Sequence, residues 1–195
     1  NSSGDESTSA SSGVEVKEGS KTIAIVPKSA GNPYNEKQVE GFKEVVEAAG
    51  NTCVVQYPSE ATADAQITVI QNLISQQVDG IMVAGNDTNA LQSVLQEAMN
   101  AGIKVGSFDS SVNANSRQVF VNQAGNAEIG TTLMEAVYDL TGGEGQWAIL
   151  SATSQATNQN AWIDAMKSVM ESDSKYAKLE LVEVAYGDDE AQKST

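Results

Sequence analysis

From Thr22 onward the chain alternates short apolar runs of strand length with longer runs whose apolar residues recur at helical spacing, and this alternation constrains the fold most. Thr22–Val26 (TIAIV) reads as a strand, and residues 35–49 as a helix with Val39, Phe42, Val45 and Val46 at helical spacing. Gly50 and Asn51 stop it. Strand 52–57, helix 64–76 with Ile67, Ile70, Leu73 and Ile74, strand 80–84, helix 88–101 with Leu91, Val94, Leu95 and Ala98, and strand Lys104–Phe108 follow. These strands are apolar almost throughout instead of alternating with polar residues. Three strand–helix units feeding a fourth strand therefore predict an α/β fold, a parallel sheet with helices on both faces.

In such a sheet the loops after the strands gather along one edge, where open α/β folds bind ligands. That edge here carries Pro27 to Tyr34, Pro58 to Glu60, Gly85 to Asp87 and Asp109 to Ser111, polar segments with few charges. A short strand Val119–Val121 leads through Asn122 and Gln123 to a helix over 126–140. The series then restarts with strand 146–150, helix 161–170 and strand Leu179–Tyr186. We place a lobe boundary at this switch, giving a first lobe over 21–122 and a second over 123–195. The acidic run after Gly187 reads as the opening turn of another helix. Two strands make a poor domain alone, so the second lobe is expected to be incomplete in this chain. Residues 1–20 begin with NSSGDESTSASSG, six Ser and two Gly in thirteen residues without apolar periodicity, and read as a flexible linker.

Charge and residue usage exclude several functions. A net charge of −15 argues against nucleic acid and anionic membrane surfaces as main partners. The chain has no histidine, which removes Ser-His-Asp and Cys-His catalysis and imidazole proton shuttles. Its one cysteine, Cys53, excludes an internal disulfide and reads as an inert thiol in a strand. No glycine-rich phosphate motif follows the first strand, no calcium-loop pattern occurs, and Gly142 to Gly145 reads as a helix stop. Acidic pairs such as Asp188 and Asp189 read as solvated helix starts. No enzyme, cofactor or metal is expected.

Three features stand out from this background. Lys28 follows the first strand and Pro27, at the sheet edge, where by position alone a surface lysine is equally expected. Asn32-Pro33-Tyr34 puts an amide and an aromatic ring at the start of the first helix, suited to a sugar ring and also to ordinary turn chemistry. Asp109 ends the fourth strand, where a carboxylate accepts hydroxyl hydrogen bonds or caps a turn.

Together with Ile23 to Tyr34, the segments Gln71 to Ile81, Ser107 to Ser110, Phe120 to Gln123 and Thr157 to Trp162 resemble type I periplasmic sugar-binding proteins of ATP-binding-cassette (ABC) transporters. The likeness is to the branch that binds rhamnose or a quorum-sensing autoinducer, and it covers about residues 21–195. It implies two α/β lobes joined by a hinge, ligand held in the cleft between them, and delivery to a membrane permease. By this resemblance Lys28, Asn32, Tyr34 and Asp109 are first-lobe ligand contacts, Asn158 and Gln159 second-lobe contacts, and Trp162 a packing or cleft-wall residue. The autoinducer branch usually carries an acidic residue before the position of Gln159, whereas this chain has Asn158, a neutral amide that both donates and accepts. The expectation is thus a neutral sugar, rhamnose or a related deoxysugar, with the furanose autoinducer as the alternative. The resemblance further implies a monomeric, extracytoplasmic protein, periplasmic or tethered as a lipoprotein through an inferred N-terminal lipid anchor.

Overall fold

The computed structural model describes residues 19–195, so the expected linker lies outside the described residues except for Gly19 and Ser20. Five strands, β1 (Thr22–Val26), β2 (Thr52–Val55), β3 (Gly80–Val83), β4 (Lys104–Phe108) and β5 (Val119–Val121), form one sheet in the order β2-β1-β3-β4-β5. Every pairing is parallel, with Ile23 opposite both Cys53 and Gly80, and Gly80 opposite Lys104. The helices α1 (Pro33–Ala48), α2 (Ala63–Ser75) and α3 (Gln92–Asn100) are the crossovers that parallel pairing requires.

Strand periodicity decides which helix covers which face. Ala24, Val26, Ile81, Val83 and Val105 pack against Ile70 and Leu73 of α2 and Val94, Leu95 and Ala98 of α3, all buried. Ile25 faces the other way, toward Val39 and Phe42 of α1 and toward Phe108. Full burial of each large aliphatic side chain contributes roughly 1.5–3 kcal/mol, so this two-faced core is the main source of first-lobe stability.

Local chemistry sets the helix ends. Asn32 caps α1, its Oδ1 accepting from Tyr34 N at 2.9 Å, and Pro33 supplies a preset first residue. The third helix begins at Gln92, not 88, because Asp87 Oδ1 takes the backbone N–H groups of Asn89 and Ala90 at 2.8 and 2.7 Å and holds them in a turn.

Beyond β5, α4 (Asn126–Thr141) and α5 (Thr157–Ser172) flank a second parallel sheet of β6 (Gly145–Ser151) and β7 (Leu179–Tyr186). Met134, Met166, Tyr176 and Leu179 form its core. The fifth helix starts four residues before the expected 161. Its first turn, Thr157 to Asn160, is polar and reaches toward the first lobe, so it carries none of the apolar periodicity that marks the rest. Residues 187–195 form consecutive turns instead of a regular helix, with Glu190 N donating to Gly187 O and Ser194 N to Glu190 O. No helix among the described residues is long and apolar enough to cross a membrane.

One polar side chain ties this scaffold to the ligand edge. Gln66 of α2 is fully buried; its Nε2 donates to Ala84 O at 2.7 Å and Pro27 O at 3.2 Å, and its Oε1 accepts from Asn86 N at 2.9 Å. Replacing it strands three backbone groups away from water. Gln66→Leu is expected to cost about 2–4 kcal/mol in denaturant unfolding, and a loss under about 0.5 kcal/mol would show that the loops find other partners.

Candidate functional site

The carboxyl ends of β1, β3 and β4 point at the second lobe. At the switch point between β1 and β3 the chain leaves the two strands toward opposite faces, with Lys28 and Asn86 in the loops just beyond the strand ends. Asn86 Nδ2 donates to Lys28 O at 3.0 Å, locking the two loops together. Asp109 follows β4 with φ of 56°, a left-handed conformation that Asp tolerates better than most residues, and its N–H donates to Val121 O.

Lys28 and Asp109 are each only 6% exposed, yet they do not form a direct ion pair. Asn158, at the start of α5, stands between them. Its Oδ1 accepts from Lys28 Nζ at 2.9 Å and its Nδ2 donates to Asp109 Oδ1 at 3.2 Å. Tyr34 Oη and Gln123 Nε2 donate to the same Oδ1, both at 3.2 Å. Asp109 Oδ2 therefore keeps its accepting capacity, and Lys28 keeps two of its three N–H donors unassigned among the described residues. Buried charged groups normally use their full hydrogen-bonding capacity, so this pair is built to take further partners.

The environment bears on their protonation. Burial lowers the Lys28 pKa, opposed by the negative charges of Asp109 and Asp189. Burial likewise raises that of Asp109, against the Lys28 charge and the Tyr34 and Asn158 hydrogen bonds. The Tyr34 phenol is pushed up to about 12 by burial and by the Asp109 carboxylate.

Three further expected residues have structural duties here. The Oδ1 of Asn32 is occupied by capping α1, leaving its amide donors. Gln159 Oε1 accepts from Ser151 Oγ at 3.0 Å and Ala152 N at 3.2 Å, fixing the end of β6. Trp162 donates its Nε1 to Asn126 Oδ1 at 3.1 Å, joining α5 to α4. Four of the six residues named from sequence, Lys28, Tyr34, Asp109 and Asn158, thus meet in one hydrogen-bonded cluster, with Asn32 and Gln159 at its margins.

Gln66, Asn86, Gln123 and Asp189 were not assigned to the site from sequence, and Asp189 was read with Asp188 as a solvated helix start. Gln66 had left a signal, since a lone amide interrupts the buried stripe of Ile70 and Leu73. Gln123 lay within a motif without a role assigned to it.

A second contact between the lobes joins the Thr88 and Thr157 hydroxyls at 2.7 Å. Beside the cluster a cavity of about 720 Å³ runs between the lobes, lined in part by Ser29, Asn86, Thr153, Gln155 and Asp189. A larger concavity, about 1370 Å³, sits at the opposite end of the sheet against Ile23, Met82 and Ile103 and holds none of these polar groups. Among the described residues no cluster of His, Cys, Asp and Glu is arranged to hold a metal.

Two α/β units thus bring polar side chains together across a cleft. The chain belongs to the family of the periplasmic binding protein domain, whose model matches residues 23–195. It is similar to the crystal structure of an ABC transporter solute-binding protein from Clostridium phytofermentas with bound L-rhamnose, at 60% identity and TM-score 0.88, over 90% of this chain and 54% of that one. A sugar ABC transporter protein from Actinomyces odontolyticus is 37% identical, TM-score 0.66, over 89% and 56% of the two chains. A solute-binding protein from Burkholderia graminis in complex with D-arabinose is 28% identical, TM-score 0.83, over 91% and 60%. The chain spans little more than half the length of these relatives.

Because the Lys28 cation is among the groups holding the Asp109 pKa down, Lys28→Met should raise that pKa further. Carboxyl-carbon NMR titration reads this directly, and an unmoved Asp109 would show that the two charges are not coupled.

Proposed function

We propose that this chain is the ligand-clamping part of an extracytoplasmic solute-binding protein that delivers a neutral sugar, L-rhamnose or a related deoxysugar, to the permease of an ABC importer. The observation that carries this reading is the buried Lys28–Asp109 pair, bridged by Asn158 of the other lobe and with hydrogen-bonding capacity left open. One donor centre and one acceptor centre side by side match the vicinal hydroxyls of a neutral polyol. The 60%-identical relative with L-rhamnose bound supports the choice of sugar.

In this reading Lys28, Asn32, Tyr34, Asp109, Asn158 and Gln159 bind the ligand. Residues 21–122 and 123–195 contribute to the two lobes that close on it. The protein acts outside the cytoplasm, as a monomer, either in the periplasm or held at the cell surface by an N-terminal lipid anchor.

Calorimetric titration of the full-length protein with L-rhamnose, D-arabinose and the furanose autoinducer tests the assignment. Rhamnose should bind tightly and Asp109→Ala should weaken it about ten- to a hundredfold, the worth of one charge-assisted hydrogen bond. Tight autoinducer binding with rhamnose ignored, or an Asp109→Ala protein that binds as well as wild type, overturns it.

The pH profile of affinity carries a second expectation. The lowered Lys28 pKa means that rising pH removes its proton earlier than from a surface lysine, so affinity falls on the alkaline side, where Tyr34, at about 12, is still protonated. On the acid side the raised Asp109 pKa means that its carboxylate is neutralised earlier as pH drops, and affinity falls again. An affinity that stays flat on both sides would remove the pair from the contact set.

A further inference from the structure

Three consecutive acids, Asp188, Asp189 and Glu190, close the second-lobe side of the interlobe cavity, and among the described residues only Asp189 of the three lacks an ion pair. Lys193 Nζ lies 3.1 Å from Asp188 Oδ2 and 2.9 Å from Glu190 Oε1. Asp189 has neither an ion pair nor a side-chain hydrogen bond among the described residues. The loop that carries it is fixed to the end of β6, with Gly187 N donating to Ser151 O at 2.9 Å and Asp188 N to Ala152 O at 3.2 Å. Asp188 and Asp189 both hold left-handed backbone, at φ of 53° and 59°. Asp189 thereby lines the same cavity as Ser29 and Asn86 of the first lobe.

A buried ammonium with open donors is, by itself, an attractive seat for a carboxylate or phosphate. Asp109 balances that charge, and one more anion facing the pair turns the balance negative. Glu60 and Asp87 also line the cavity, and the charges that oppose the burial-driven lowering of the Lys28 pKa include Asp109 and Asp189. Asp189 acts on Asp109 as well, so its field reaches both halves of the pair.

We propose that Asp189 is a specificity determinant of the cleft: its charge, unpaired among the described residues and set across the cavity from Ser29 and Asn86 of the loops that hold Lys28, excludes anionic sugars such as sugar acids and sugar phosphates and reserves Lys28 for neutral polyols. This rests on the ligand-binding reading above. It works by repulsion of the wrong ligand rather than by a new contact to the right one.

The experiment uses the full-length protein, L-rhamnose as neutral probe and inorganic phosphate as anionic probe. Each protein is titrated with rhamnose in phosphate and in chloride at matched ionic strength. Wild type should be indifferent to the anion. In Asp189→Asn, phosphate should compete and weaken apparent rhamnose affinity about fivefold, the scale of one unit charge acting across a partly screened cleft. Asp189→Glu should behave as wild type.

Competition in wild type, or indifference in Asp189→Asn, overturns the proposal. If wild type does not bind rhamnose at all, the sugar-binding reading fails by itself. Direct calorimetry of phosphate on the same proteins still decides the role of Asp189, by whether phosphate binds Asp189→Asn in preference to wild type.

Discussion

The arrangement of the cleft depends on a single buried amide. In a parallel sheet whose neighbouring strands β1 and β3 depart to opposite faces, the backbone at the strand ends runs out of ladder partners just where a ligand crevice opens. Gln66 supplies partners for Pro27 O, Ala84 O and Asn86 N, and Asn86 then holds Lys28 O. The hydrophobic core alone could not do this, because packing is non-directional and leaves polar groups unpaired. The backbone beneath Lys28 is consequently held from two sides before any ligand arrives, and little ordering entropy is left to be lost on binding.

That chain of support explains what could be read in the residues and what could not. β1, β4, β5 and β7 were legible to the residue because their apolar runs end in turn-forming or charged residues. The helices were legible as faces, since Val39 and Phe42, or Leu91, Val94 and Leu95, recur at the period of the core they bury. Helix starts were less so. Asp87 draws Asn89 and Ala90 into a turn by local hydrogen bonds that compete with the helix, and α5 begins with polar residues whose partners lie far away in the chain. Lys28, Asp109 and Tyr34 stood out by position at a strand end or helix start. Asn158 was reached only through family resemblance, because its meaning lies in a bond to a residue 130 positions away. Asp189 was hidden for the same reason: which acid in an acidic run keeps its charge depends on where one lysine comes to rest.

The electrostatics of the cluster suit a site that must exchange partners. A directly paired, buried Lys–Asp bridge gains strong attraction, and removing one charge from it leaves the other stranded at a cost of about 3–5 kcal/mol. Here the two charges meet through a neutral amide, which accepts from Lys28 and donates to Asp109. A hydroxyl group does the same two things. The hydrogen bonds that Asn158 makes are therefore of the kind a polyol can take over or extend, without leaving an unpaired charge behind.

An acid at position 158 would upset this balance in a definite direction. It would keep an acceptor for Lys28 but lose the donor to Asp109, and set a second anion beside a carboxylate that burial already makes costly to ionise. Relief would then require a proton on one of the two acids or a ligand richer in donors. The amide avoids both conditions and leaves Asp109 Oδ2 open. The chemistry at position 158 and the charge at Asp189 therefore press the same way: one keeps the pair balanced at its centre, the other biases its surroundings against anions, and an uncharged, hydroxyl-rich molecule satisfies both.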